Sequence, residues 1–138
     1  MKIAVRYFTR SGNTEKLAAA IADALGLRAQ DTSVPLDEPV DLLFLGSSVY
    51  GADVDDAVKA FIRDNAAKIG RIANFSTAAL LKSTRRQVEK LAGQYGVAMT
   101  AEEFACRGSF TVMHRGRPNA ADLENAAVFA KQTAKKYS

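Results

Sequence analysis

Apolar and polar positions along this chain switch between a period near two and a period near 3.6, and the switches predict the elements. Residues 2–8, Lys2-Ile3-Ala4-Val5-Arg6-Tyr7-Phe8, form a short apolar run that predicts a strand. Leu17, Ala18, Ile21 and Leu25 then recur at i, i+3 and i+4 spacing and predict a helix over 13–25, stopped by Gly26. Leu27 to Ser33 reads as a weak second strand. The Pro-punctuated connection Val34 to Pro39 is too short for a full helix, so the crossover there is abbreviated. Val40 to Ser47 is the strongest strand signal, because a near-continuous apolar run suits a parallel strand buried on both faces. Ser48 to Asp53 reads as a loop. A second helix is predicted from Asp55 to Ala67 with Val58, Phe61 and Ile62 inward, then a fourth strand from Arg71 to Ala79. A third helix has Thr84 as its candidate cap and Val88, Leu91 and Tyr95 on its buried face, and Gly96 ends it. A fifth strand spans Val97 to Cys106, and a Gly/Arg-rich loop runs from Arg107 to Pro118. The last helix opens on the capping pair Asn119 and Asp122 and buries Leu123, Ala126, Ala127, Ala130 and Ala134.

Strands alternating with helical patterns predict an α/β fold, a doubly wound five-stranded parallel sheet with helices on both faces. Right-handed crossovers with the first strand central make the order 2-1-3-4-5. A ligand then belongs at the carboxyl ends of strands one and three, where the order reverses.

Composition narrows the classes. A chain of 138 residues, 48% hydrophobic and 25% charged, is sized for a single folded, soluble domain over 1–138. No apolar run approaches the ~20 residues of a membrane span, and the first strand begins without a separate secretion segment. One Cys cannot form an internal disulfide, which fits the reducing cytoplasm. The balance is basic, with net charge +4 and pI near 9.3. Because the charges are dispersed and not interleaved with aromatics, nucleic acid is not an expected partner, nor is a membrane. No metal-ligand spacing exists in the sequence. Cys106 reads as a structural thiol and His114 as a solvated loop residue.

The candidate chemistry lies in Tyr7-Phe8-Thr9-Arg10-Ser11-Gly12-Asn13-Thr14, a polar turn between a strand and a helix. Free N–H groups at a helix start, with hydroxyl donors, favour an anion such as a phosphate monoester. On spacing alone the turn suits an N-capping turn that holds nothing equally well. There is no G-x-x-x-x-G-K-[ST] and no G-x-G-x-x-G, so neither a triphosphate P-loop nor a Rossmann dinucleotide site is supported. The turn has no Cys, so a phosphatase nucleophile is missing, and the acids of a receiver domain are absent too.

The combination Tyr7, Thr9, Gly12, Thr14, Ala18 and Ile21 resembles the first-loop signature of the flavodoxin family. Arg6 departs from it, standing where the family usually has an apolar residue. The stretch from Asp41 to Gly51, followed by Val58, Phe61 and Ile62, resembles the family's second loop. The segments Phe104 to Gly108 and Arg115 to Leu123 resemble the tail of a short-chain subgroup. The resemblance implies FMN as cofactor. Thr9, Arg10, Ser11, Gly12, Asn13 and Thr14 would hold its phosphate, and Ser48, Val49, Tyr50 and Gly51 would line its ring. Thr77, Ala78 and Leu80 would contribute from the third loop. Tyr50 either stacks on the ring or caps the core. The third loop departs from the family, with Ala78-Ala79-Leu80-Leu81-Lys82-Ser83 where a second aromatic and an acid are usual. Leu80 or Leu81 packs on the flavin edge or belongs to the core.

The resemblance implies an electron-transfer protein whose flavin does the chemistry, without a catalytic side chain. Two alternatives stand beside it. One is a small FMN-dependent reductase passing hydride from a nicotinamide to a quinone. The other is a module that has lost flavin and binds a protein partner. Expected partners are a redox protein or a small anionic or quinone substrate. Lys82, Arg85, Arg86, Arg107, Arg115 and Arg117 lie in loops or first turns at the flavin end of the sheet. Asp53, Asp55 and Asp56 follow strand three and oppose them; the cations predict a less negative potential than an acidic flavodoxin shows, or else they point to solvent and are screened.

Overall fold

The computed structural model describes residues 1–50, 53–78, 83–107 and 116–138; for Val49, Tyr50, Ala78 and Arg107 it describes the backbone alone. Strand β1 (Ile3–Tyr7) leads to helix α1 (Asn13–Ala24) and the short strand β2 (Gln30–Asp31). Strand β3 (Val40–Tyr50) turns into β4 (Asp53–Val54), followed by α2 (Asp56–Asn65) and β5 (Ile69–Ala78). Then come α3 (Arg85–Gln94), β6 (Ala98–Arg107) and α4 (Ala120–Tyr137). The sheet order is β2-β1-β3-β5-β6, every neighbour parallel. That is the expected 2-1-3-4-5 order, with β5 and β6 as the fourth and fifth parallel strands.

The central strand explains the order. Leu42, Leu43, Phe44 and Leu45 are all fully buried, because β3 has neighbours on both edges and helices on both faces. One face packs Val5, Leu42, Phe44 and Phe75 against Leu17 and Ile21 of α1 and Phe129 of α4. The other packs Leu43, Leu45 and Ile72 against Val58, Phe61 and Ile62 of α2 and Val88 of α3. Gly46 sits where α1 starts: a Cβ there would lie 2.2 Å from the Phe75 ring and 2.9 Å from Thr14 Cγ2. Only glycine lets the helix start so close to the sheet.

Several expectations are corrected. Strand three runs three residues past Ser47 and returns through β4, pairing Val49 with Val54 and Tyr50 with Asp53, so Ser48 and its neighbours are strand, not loop. β2 shrinks to two residues because only one edge is paired and Leu27 is solvent-exposed. A short 3-10 turn at Ala66–Lys68 replaces the end of helix two. Tyr95, expected in the core, is exposed; Val88 and Ala92 carry that face. On α4, Phe129 and Thr133 are buried, while Leu123, Ala127 and Ala134 are only partly so.

Arg6 finds its reason in the helix-free connection from β2 to β3. An irregular segment packed on a sheet leaves backbone groups without helical partners. Here side chains supply them. Arg6, 6% exposed, donates Nε to Val34 O (2.9 Å), Nη2 to Pro35 O (3.2 Å) and Nη1 to Val5 O (3.1 Å). Asn65 Oδ1 accepts from Leu36 N (3.0 Å), and Lys68 Nζ donates to Leu36 O (2.9 Å). Burial holds the Arg6 guanidinium below its usual value, partly offset by Asp37.

Candidate functional site

The first loop leaves β1 with Phe8 N still bonded to Gly46 O (3.1 Å) and enters α1 through Gly12. Thr9 Oγ1 accepts from Gly12 N at 3.0 Å, a hydroxyl turn that shapes the loop from within. Ser11 Oγ accepts a long bond, 3.5 Å, from Asn13 N. Gly12 has φ +87°, in the left-handed region, and a Cβ there would meet nothing within 4 Å. Among the described residues no side chain caps α1. Two other helix starts carry a cap of their own, Asp55 on α2 through Ala57 N (2.9 Å) and Asn119 on α4, whereas Thr84 at the start of α3 makes no such bond.

Beneath this loop three hydroxyls from three elements meet. Thr14 Oγ1 lies 2.7 Å from Ser48 Oγ and 3.0 Å from Thr77 Oγ1, and Ser48 Oγ lies 2.9 Å from Thr77 Oγ1. All three residues are buried. Each hydroxyl has one O–H to donate, so the ring can satisfy all three donors internally, and it offers an O–H to an anion only by giving up one of these contacts. It gathers residues from α1, β3 and β5 at the carboxyl end of the sheet. Thr14, Ser48 and Thr77 of the predicted set are thus brought together, with Thr9, Ser11, Gly12 and Asn13 just above.

Arg10 lies in the same loop, and its Nη2 meets Asp55 Oδ2 at 2.5 Å. The first loop is therefore tied to the start of α2. The Ala57 N–H, and then Arg10, hold the Asp55 carboxyl below its usual range. The backbone places Val49 and Tyr50 at the end of β3, beside β4, and Ala78 at the end of β5. Gly51, Leu80, Leu81, Lys82, His114 and Arg115 lie outside the described residues.

Sequence reasoning missed a second polar cluster on the opposite face. Thr84 Oγ1 accepts from Ser47 Oγ (2.9 Å) and Asn74 Nδ2 (3.1 Å), and Thr84 N donates to Ser76 Oγ (3.3 Å). Thr84 occupies the N-cap position of α3, but Ser83 Oγ takes the Arg85 N–H instead (2.9 Å). The available signal was the run of hydroxyl and amide residues ending two adjacent apolar strands, Ser47-Ser48 and Asn74 to Thr77.

Of the six cations expected at this end of the sheet, Lys82, Arg115 and the Arg107 side chain lie outside the described residues, and Arg85 and Arg117 are paired within the protein. Arg85 Nη2 donates to Thr100 O (2.9 Å) and Nε pairs with Glu89 (3.4 Å). Arg117 makes a two-pronged pair with Asp122. Cys106 is half-buried, and burial pushes its thiol up to about 11, so it is not a nucleophile near neutral pH. Among the described residues no group of three His, Cys, Asp or Glu side chains could hold a metal. Nor is any described helix long and apolar enough to cross a membrane.

A flavodoxin-domain model matches residues 4–107, and the chain belongs to the flavodoxin family. Solved structures agree on the fold. A flavodoxin from the Archaea superposes with TM-score 0.79 at 18% identity, over 99% of both chains. Flavodoxin 1 from Bacillus cereus matches with TM-score 0.73 at 21% identity over 100% of both. Rubredoxin oxygen:oxidoreductase from Desulfovibrio gigas matches with TM-score 0.75 at 14% identity, over 99% of this chain and 36% of that one. No curated protein matches. FMN is the family's cofactor.

Proposed function

We propose that this protein transfers electrons through FMN bound at the carboxyl ends of β1, β3 and β5. The observation that carries this reading is the start of α1: an uncapped helix entered through a left-handed Gly12, directly above the Thr14–Ser48–Thr77 ring. Thr9, Ser11, Gly12, Asn13 and Thr14 hold the phosphate, with Ser48 and Thr77 below. Arg10 adds positive potential while anchored to Asp55. Val49, Tyr50 and Gly51 line one side of the ring, and Ala78 and Leu80 the third-loop side. When bound, the flavin accepts and donates the electrons; the protein binds, orients and shields it. The partner is a redox protein or a small anionic or quinone acceptor. A single half-buried thiol fits a cytoplasmic location and one domain over 1–138.

The test is titration of the purified protein with FMN and with riboflavin, followed by flavin absorbance and fluorescence. Tighter binding of FMN is expected, since riboflavin lacks the phosphate. Equal affinities would remove the α1 start from the site. Steady-state oxidation of reduced nicotinamide by the loaded protein then separates a carrier, which is slow, from a reductase, which turns over.

A further inference from the structure

We propose that the groove between α2 and α3 docks an acidic redox protein, an inference that rests on the flavin reading above. The groove encloses about 1030 Å³ on the face opposite α1 and α4. α3 follows the parallel strand β5, and α2 follows β4, the short antiparallel partner of the end of β3, so both begin at the ligand edge of the sheet. At about 1.5 Å per residue, α2 carries the groove ~10 Å from Asp56 to Arg63, and α3 carries it ~13 Å from Arg86 to Tyr95. Its mouth is formed by Asp53, the register partner of Tyr50. A protein seated in the groove therefore lies against the second flavin loop, where a redox centre has to come close.

The charges select the partner. Lys59, Arg63, Arg86 and Lys90 line the groove against Asp53 and Asp56, four cations to two anions. Lys59 stands between the two acids, 2.7 Å from Asp53 and 3.8 Å from Asp56, and neutralises the mouth. Arg63 pairs with Asp64 (2.9 Å). Arg86 and Lys90 sit one turn apart on α3, both exposed, and neither forms an ion pair among the described residues. Lys90 only helps, at longer range, to hold the Asp53 carboxyl below its usual value. Like charges at i and i+4 on a helix repel weakly, and an anionic surface laid on that face would offset the repulsion. Tyr95, which the helical pattern assigns to the core, is instead exposed at the far end of the groove. An exposed tyrosine beside cations and a partly buried Leu91 is the composition of a protein-binding patch.

The probe is a plant-type ferredoxin, an acidic iron–sulfur protein, with basic cytochrome c for contrast. Titration calorimetry measures its binding to the protein with and without FMN. Stopped flow then measures flavin reduction by the reduced ferredoxin: one electron leaves the cluster and arrives at the flavin, and no bond is made or broken. The groove variant Arg86→Gln/Lys90→Gln is compared with Lys131→Gln/Lys135→Gln on α4, which removes the same charge from the other face. At about 20 mM salt the groove variant should lose about three- to tenfold in both affinity and rate, and the α4 variant should match wild type. At about 0.5 M salt all three should converge. Cytochrome c should show no loss in either variant. Wild-type ferredoxin binding by the groove variant at low salt would overturn the proposal, as would an equal loss in the α4 variant. A thymidylate 20-mer whose binding alone depends on Arg86 and Lys90 would give the groove to nucleic acid. Failure of the flavin reading shows separately, as no flavin spectrum on loading, while the flavin-free titration still decides the groove.

Discussion

Helices α1 and α4 lie side by side on one face of the sheet, yet they begin in opposite ways. At the start of α4, Asn119 Oδ1 accepts from Asp122 N (3.0 Å) and Asp122 Oδ2 accepts from Asn119 N (2.8 Å), a complete capping box. Arg117 then grips the Asp122 carboxylate through Nε and Nη2. Two N–H groups of this start, those of Asn119 and Asp122, are thus answered by its own side chains. At the start of α1 the N-cap is a glycine with no side chain to bond the first turn, Thr9 and Ser11 of the preceding loop take the Gly12 and Asn13 N–H groups, and the space beside Gly12 Cα is open. Its one first-turn acid, Glu15, accepts from Tyr7 Oη (3.2 Å). The two starts have the same backbone chemistry. The α4 start is fixed by its own N-cap and N3 side chains, while the α1 start borrows hydroxyls from the preceding loop and keeps open space beside its cap at the sheet's carboxyl edge.

The sharpest way to break the contrast is Gly12→Val. A β-branched residue at φ +87° is strained by about 1–3 kcal/mol, and its side chain enters the open space above α1. FMN binding should be lost in fluorescence titration while circular dichroism shows a folded protein. Retained nanomolar or micromolar binding would mean that the phosphate sits elsewhere.

Thr14→Val keeps the shape and removes one hydroxyl of the ring. FMN should bind about 1–3 kcal/mol more weakly, the cost of losing a hydrogen bond to a charged group. Riboflavin affinity should change less, and a uniform loss for both ligands would place Thr14 in packing alone. The complementary change, Asn119→Ala, should lower stability by about 1 kcal/mol in urea unfolding and leave FMN affinity untouched. An effect on FMN would mean that the two starts are coupled through the α1–α4 contact.

The smallest effect is in pH. Arg117, then the Asn119 N–H, hold the Asp122 carboxyl below its usual range. The folded value is thus below the unfolded one of about 3.9. The stability this contributes is fully present above about pH 3.9 and is lost as pH falls through the folded value. Arg117→Gln should therefore be less stable than wild type near neutral pH, and the two should converge in strong acid. A gap that persists in strong acid would assign Arg117 a packing role instead.

Much of this contrast was readable along the chain. Asn119 and Asp122 at N-cap and N3 spacing announce the box, and Thr9 to Thr14 between a strand and a helix announces the loop. What was not readable is which start has its donors answered from elsewhere. Arg10 reaches Asp55 across 45 residues, and Arg117 was expected to add charge to the site but serves Asp122. Tyr95 was misplaced because periodicity ranks a helix face, not the depth at which that face ends.

Local period and turn chemistry determined the elements, their parallel order and the polar turn between β1 and α1, since those depend on neighbours three or four residues apart. Only the tertiary structure decided the hydroxyl ring, whose members lie 34 and 63 residues from Thr14, and the anchoring of the helix-free crossover by Arg6, 28 residues away. It also extended β3 into a hairpin at the ring loop. Hydrogen bonds between distant strands leave no periodic trace, because each depends on where the completed sheet sets two side chains and not on the residues beside them.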